Sequence, residues 1–186
     1  MTLFDDKVPG IMRLLMRDFS LSEIEAAAIC GNLGHESGGF EKMQEIRPTV
    51  RGSRGGYGWA QWTGPRRRQF EAYCARNKLA RESDKANYGF LFTELKGGER
   101  GALAILKRAN DNISDKTIAF ERGFERAGVK HYPSRIKWAK RALKALGTHP
   151  PMPPDDPGIR EPRVDGFWGA VLRILDNILK RMFRND

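Results

Sequence analysis

Cysteine is scarce in this chain. Cys30 and Cys74 are the only two among 186 residues, too few for a small scaffold stapled by disulfides and without metal-ligand spacing. Both fall in helical patterns, which makes them buried, reduced thiols. Aspartate is missing between Asp18 and Asp84, so glutamate supplies every acid in that stretch. A long clean apolar run is also absent from the N-terminus. "MTLFDDKVPGIMRLLMRDF" puts acids ahead of its apolar residues and charges among them, which excludes a signal peptide or a membrane span there. What is abundant is positive charge: 33 Lys and Arg against 23 Asp and Glu, a net +10. Such a chain is drawn to polyanions, whether nucleic acid, anionic membrane or acidic envelope polymer. After residue 148 basic and acidic residues balance, so the whole excess lies in residues 1–148. With 40% hydrophobic and 30% charged residues, the composition is that of one folded domain with an appendage.

The expected fold is mainly α, an α+β arrangement with a helical core and one glycine-rich lobe. Residues 8–18 are weakly amphipathic. "SLSE" then offers Ser20 as an N-cap with Glu23 three residues on, opening a helix through Ala26, Ile29 and Leu33 that stops near Gly38. Thr63 or Gly64 before Pro65 starts another, reaching about Lys78. Further helices fit 84–96, 99–109, 115–127 with Ser114 as cap, and 134–146 with Ser134 as cap. Residues 47–62, "RPTVRGSRGGYGWAQW", carry four glycines among aromatics and read as a small β-hairpin or irregular lobe. "THPPMPPDDPGIREP" holds too many prolines for helix and reads as an extended linker. The expected division is a catalytic domain over 1–147, a linker over 148–164 and an amphipathic C-terminal helix over 165–186.

One carboxylate stands out. Glu36 ends the second helix, seven residues after Ile29 and three after Leu33, beside the apolar stripe. It also lies in the last turn, where the helix dipole disfavours a second negative charge. Both placements favour a neutral carboxyl, which glycosidic cleavage needs because the leaving oxygen must receive a proton. The plainer reading is an exposed glutamate paired with Lys42.

"HESGGF", followed some twenty residues later by "GGYGWAQWTGPRR", resembles the phage-tail lysozyme family of endolysins and virion peptidoglycan hydrolases, and more distantly soluble lytic transglycosylases and goose-type lysozymes. The resemblance runs over roughly residues 10–146, through "TGPRRRQF" and "FERGFERAGVKHYPSRIKWAKRAL". It implies a lysozyme-like fold and cleavage of the β-1,4 bond between N-acetylmuramic acid and N-acetylglucosamine in peptidoglycan, for host cell lysis. A lytic transglycosylase giving a 1,6-anhydro product is the alternative within the class. A basic nucleic-acid-binding protein, or an antimicrobial protein acting through its terminal helix, is the alternative outside it. Glu36 is then the general acid and base, with Ser37, Tyr57 and Gln61 at the sugar cleft. One of Trp59 and Trp62, here Trp62, is assigned to the cleft and the other to the core. Tyr132 can border the cleft; Ser37 suits a helix end equally well. The reading includes no metal, no cofactor and no nucleic acid, a monomer, synthesis in the host cytoplasm and action in the periplasm.

A second carboxyl would stand about 5 Å from the acid in a retaining enzyme and about 6.5–9.5 Å in an inverting one. Glu41 and Glu45 are the acids close in sequence, and Glu45 is the candidate. Their scarcity favours a one-acid mechanism assisted by the substrate's N-acetyl group or 6-hydroxyl. His35 points about 100° away from Glu36 around the helix and reads as packing. Arg66, Arg67 and Arg68 read as a solvated face or a contact for acidic polymer. Glu125 in "FERAG" is expected to hold a buried pair, with Arg135 as partner. In residues 167–184, Phe167, Trp168, Leu172, Leu175 and Leu179 lie on a broad apolar stripe opposite a basic face, as in a helix that enters an anionic membrane or outer-membrane lipid surface. Docking of that helix on the core or on a second copy remains the other reading.

Overall fold

A computed structural model describes residues 2–46, 48 and 52–148. They form seven α-helices: α1 Leu3–Phe19, α2 Glu23–Glu36, α3 Gly64–Asn77, α4 Asp84–Lys96, α5 Arg100–Arg108, α6 Ile113–Phe120 and α7 Tyr132–Thr148, with a π-helical turn, Glu121–Glu125, closing α6. The local chemistry accounts for the ends. Thr2 and Asp5 close a capping box on α1, and Ser22 and Glu25 close one on α2, each satisfying two otherwise unpaired backbone donors. The α2 cap is therefore Ser22, not Ser20. Ser20 instead ends α1 in a left-handed conformation. Likewise Asn112, not Ser114, caps α6 through the Asp115 amide, and α7 begins two residues ahead of Ser134.

Helix α2 is the centre of the molecule. Every residue from Glu25 to Gly34 is buried, the pattern of a helix surrounded by protein rather than lying on a surface. It packs against α1, α6 and α7. A Cβ on Gly31 would stand 2.5 Å from the Ala139 Cβ and 2.8 Å from its Cα, so the α2–α7 crossing is close enough to require a residue without a side chain. Cys30 and Cys74 are buried free thiols, and burial pushes Cys74 up to about 11.

The expected β-hairpin lobe takes another form. The described residues contain no β-strand, and residues 44–62 are organised by two isolated bridges, Gln44 with Tyr57 and Tyr57 with Trp62. Side chains replace the ladder. Buried Arg67 of α3 donates to the Arg54 and Gly55 carbonyls and to Gln44 Oε1, at 2.5, 2.9 and 2.9 Å. Asn87 of α4 accepts from the Trp59 amide at 3.0 Å. The lobe is tied to α3 and α4 by polar anchors and a shared aromatic cluster, in which Trp62 stacks 4.8 Å from Phe70 and meets Phe90 edge-on at 5.0 Å. The proline linker and the terminal helix, with Phe167, Trp168, Leu172, Leu175 and Leu179, lie outside the described residues. Among the described residues no helix is long and apolar enough to cross a membrane.

Candidate active site

The chain must turn sharply after Glu36, and its next residues are suited to that. Ser37 is buried, donates from Oγ to the Leu33 carbonyl at 2.7 Å and accepts from the Phe40 amide at 2.9 Å. Gly38 and Gly39 follow with φ of 57° and 77°, a left-handed conformation that suits glycine. A Cβ on Gly39 would also lie 2.8 Å from the Trp138 ring. Ser37 and the glycine pair thus stop the helix so that Glu36 stands at its end with one-fifth of its side chain open to solvent.

Behind Glu36 lies a guanidinium. Arg135 of α7 is 1% exposed and spends all three nitrogens: Nη2 donates to Glu36 Oε1 at 2.5 Å, Nη1 to Asn32 Oδ1 at 3.1 Å and Nε to the Lys130 carbonyl at 2.8 Å. Asn32, one turn before Glu36, is fixed in turn by donating to the Ala28 and Thr117 carbonyls. Glu36 therefore pairs with Arg135 rather than Lys42. It stands in the structure as an ion-paired carboxylate, which the sequence-based expectation of a neutral acid did not include. His35 takes the packing role, its Nδ1 2.9 Å from Ser134 Oγ. Burial, then Arg135 and His131, hold it down to about 4, leaving it neutral in ordinary buffers.

The π turn carries the residue that spacing did not disclose. Glu125 Oε1 is shielded from solvent and has no hydrogen-bond partner. Burial raises the proton affinity of this carboxyl well above the ordinary range, the charge of Glu36 adds to the effect, and Arg66 and Arg135 oppose it. The expected Glu125–Arg135 pair is thus replaced by Arg135–Glu36. Glu125 is a carboxyl within electrostatic reach of Glu36. Arg66 is an interior tie, not a solvated cation: it forks onto Glu94 at 2.7 and 2.9 Å, donates to the Phe124 carbonyl at 3.2 Å and lies over the Phe124 ring. Of the three consecutive arginines only Arg68 is exposed.

The anticipated cleft residues distribute unevenly. Trp62 is 1% exposed, with Nε1 donating to Glu94 Oε2 at 2.7 Å. It belongs to the aromatic core with Trp59, and neither ring has a face for a sugar. Ser37 is consumed in ending α2. Gln61 is partly exposed, but its amide donates to the Lys42 and Gly58 carbonyls, both at 3.0 Å, so it braces the lobe. Glu45 does the same, accepting from the Gly56 amide at 2.8 Å. Tyr57 donates to Glu82 Oε1 at 3.0 Å. Tyr132, in the first turn of α7, donates to Glu121 Oε2 at 3.3 Å, on the helix that supplies Arg135. The structure thus gathers Glu36, Glu125 and Arg135, with Tyr132 at the start of α7, and gives Tyr57, Gln61 and Glu45 internal duties in the lobe. Among the described residues no cluster of three His, Cys, Asp or Glu has the geometry of a metal site.

A family model described as phage tail lysozyme matches residues 9–146, the span that contains all of these groups. No curated protein and no solved structure matches the chain.

Proposed function

The chain belongs to the phage tail lysozyme family, a lysozyme-type, peptidoglycan-degrading class, and we propose that it cleaves the β-1,4 bond between N-acetylmuramic acid and N-acetylglucosamine with Glu36 as general acid and then base. The observation that carries this is the single solvent-reaching carboxylate at the end of a buried helix, aimed by a buried arginine and followed at once by a glycine turn. The leaving sugar oxygen takes a proton from Glu36 as the C1–O bond breaks. Because Glu125 is shielded, the second step is assisted by the substrate: its N-acetyl group holds the cation until water attacks, or its own 6-hydroxyl attacks and closes a 1,6-anhydro ring. Glu36 recovers a proton from whichever nucleophile is used. Product analysis separates the two, since hydrolysis leaves a reducing end and transglycosylation leaves none. The +10 charge suits an anionic wall polymer, and action on the wall from the periplasm during host lysis completes the reading.

Replacing Glu36 by Gln tests it. The amide keeps the shape and the Arg135 contact but holds no transferable proton, so clearing of isolated cell walls falls by about 10²–10⁴-fold with the melting temperature little changed. Clearing at the parental rate overturns the assignment.

A further inference from the structure

Resting on that reading, we propose that Glu125, the half-buried carboxyl at the end of the π turn whose Oε1 is shielded from solvent, is the positioning partner that supplies Glu36 with the proton it donates. The reason lies in a conflict within the site. An acid catalyst must arrive protonated, yet Glu36 stands ion-paired with Arg135. A lone carboxyl in that position is a carboxylate with nothing to donate. A second carboxyl supplies the proton, because a carboxyl oxygen shielded from solvent keeps its proton beside a charged neighbour.

The surroundings of Glu125 favour its being the resting holder. Its Oε1 is shielded from solvent and has no hydrogen-bond partner among the described residues, the condition under which an ionised oxygen is costliest. The charged groups that face it are Glu36 from α2, Arg66 from α3, Glu94 from α4, Arg135 from α7 and the adjacent Arg126. Arg66 is forked onto Glu94 and Arg135 Nη2 donates to Glu36 Oε1, so both spend donors elsewhere and only partly offset the burial of Glu125. Helix α5 meets the turn at Gly123 through Ala102 and Ile105, and Glu99 at its start pairs with Arg126. The backbone is also unusual at this place. Glu125 ends a π turn, a form rare in helices and frequent at functional sites. A shielded carboxyl oxygen without a hydrogen-bond partner among the described residues is a standing cost to the fold, and such costs gather where chemistry needs them.

The cycle balances in protons. One proton moves from the Glu125 carboxyl to the Glu36 carboxylate, and Glu36 passes it to the glycosidic oxygen as the bonding pair goes to that oxygen. The attacking water or 6-hydroxyl then loses one proton to the pair. No other reactant is required.

The measurement is the pH profile of wall cleavage for the full chain, the E125Q variant and the E36Q variant, together with the infrared stretch of protonated carboxyl groups. E125Q keeps the shape but cannot hold the proton, so the alkaline limb of its profile moves to lower pH, about tenfold in rate for each pH unit moved, and activity recovers in acid as solvent protonates Glu36. The wild-type protein at neutral pH shows a protonated-carboxyl stretch that persists in E36Q and is lost in E125Q. A purely structural Glu125 shifts the melting temperature and leaves the limb in place. An E125Q profile that superimposes on wild type, or a wild-type spectrum at neutral pH with no protonated carboxyl, overturns the proposal. The spectra of wild type and E36Q decide the matter without E125Q should that variant fail to fold. Full activity in E36Q overturns the assignment of Glu36 instead, which keeps the two failures distinct.

Discussion

Glu125 has a consequence for stability as well as for chemistry, and the two can be measured apart. Its proton affinity is raised in the fold by burial. Below the usual carboxylate range both folded and unfolded chains hold this proton, and the group costs nothing through ionisation. Above that range the unfolded chain releases it while the folded chain keeps it, so stability falls as pH rises until the folded group itself ionises. E125Q removes that dependence. The variant is therefore expected to melt higher than wild type at pH 7, with a much smaller difference at pH 4. Thermal denaturation at the two pH values checks it, and an equal difference at both overturns the protonated assignment. At this scale the sequence was informative about Glu36, whose position on an apolar stripe before Gly-Gly is a local pattern. It was silent on Glu125 as a charge within reach of that residue, because the π turn is carried there by α6, which packs on α2. A signal did exist in Asn32. An amide one turn before Glu36, in the middle of an otherwise apolar helix, announces a buried polar partner, and that partner is Arg135.

Among the elements, helices were the most legible part. Pro65 at the start of α3 and Ser83 before α4 put strong local preferences at helix starts, and α4 spans Asp84–Lys96 as its pattern predicts. Errors occurred where two caps compete, as at Ser20 and Ser22. They also occurred where the backbone loosens from α to π, which no periodicity of residue type marks. The glycine lobe was legible as a non-helical element, a hairpin or an irregular lobe, and its described residues take the irregular form, because their order comes from distant anchors, Arg67 and Asn87, rather than from a ladder. Gln61 follows the same logic. Its side chain donates to two carbonyls of the lobe while its backbone sits at φ 44°, so it acts as a brace. Gln61→Ala is expected to leave those carbonyls unmatched, lower stability by about 1–3 kcal/mol and reduce wall clearing through loss of the folded lobe. Denaturant melts alongside specific activity test this. Unchanged stability with a large fall in turnover returns Gln61 to direct contact with sugar.

At the scale of the whole molecule, the candidate chemistry and the tail occupy different parts of the sequence. Glu36, Glu125, Arg135 and every hydrogen bond described around them precede Gly147, and the entire excess of positive charge lies in residues 1–148. The sequence after the prolines is different in kind, with a balanced charge and the apolar stripe of Phe167, Trp168, Leu172, Leu175 and Leu179. Deleting everything after Gly147 is accordingly expected to leave cleavage of isolated peptidoglycan nearly intact and its salt sensitivity unchanged, since both depend on the core. The same deletion is expected to abolish binding to vesicles of anionic lipid and lysis of intact Gram-negative cells from outside, because a stripe of this kind gains its affinity from apolar burial and from attraction to anionic headgroups. Leu175→Asp places a charge within the stripe and reproduces the vesicle defect without touching isolated-wall activity. A truncated chain that unfolds or loses wall cleavage makes the tail part of the catalytic fold. A truncated chain that keeps vesicle binding moves the lipid contact onto the basic core.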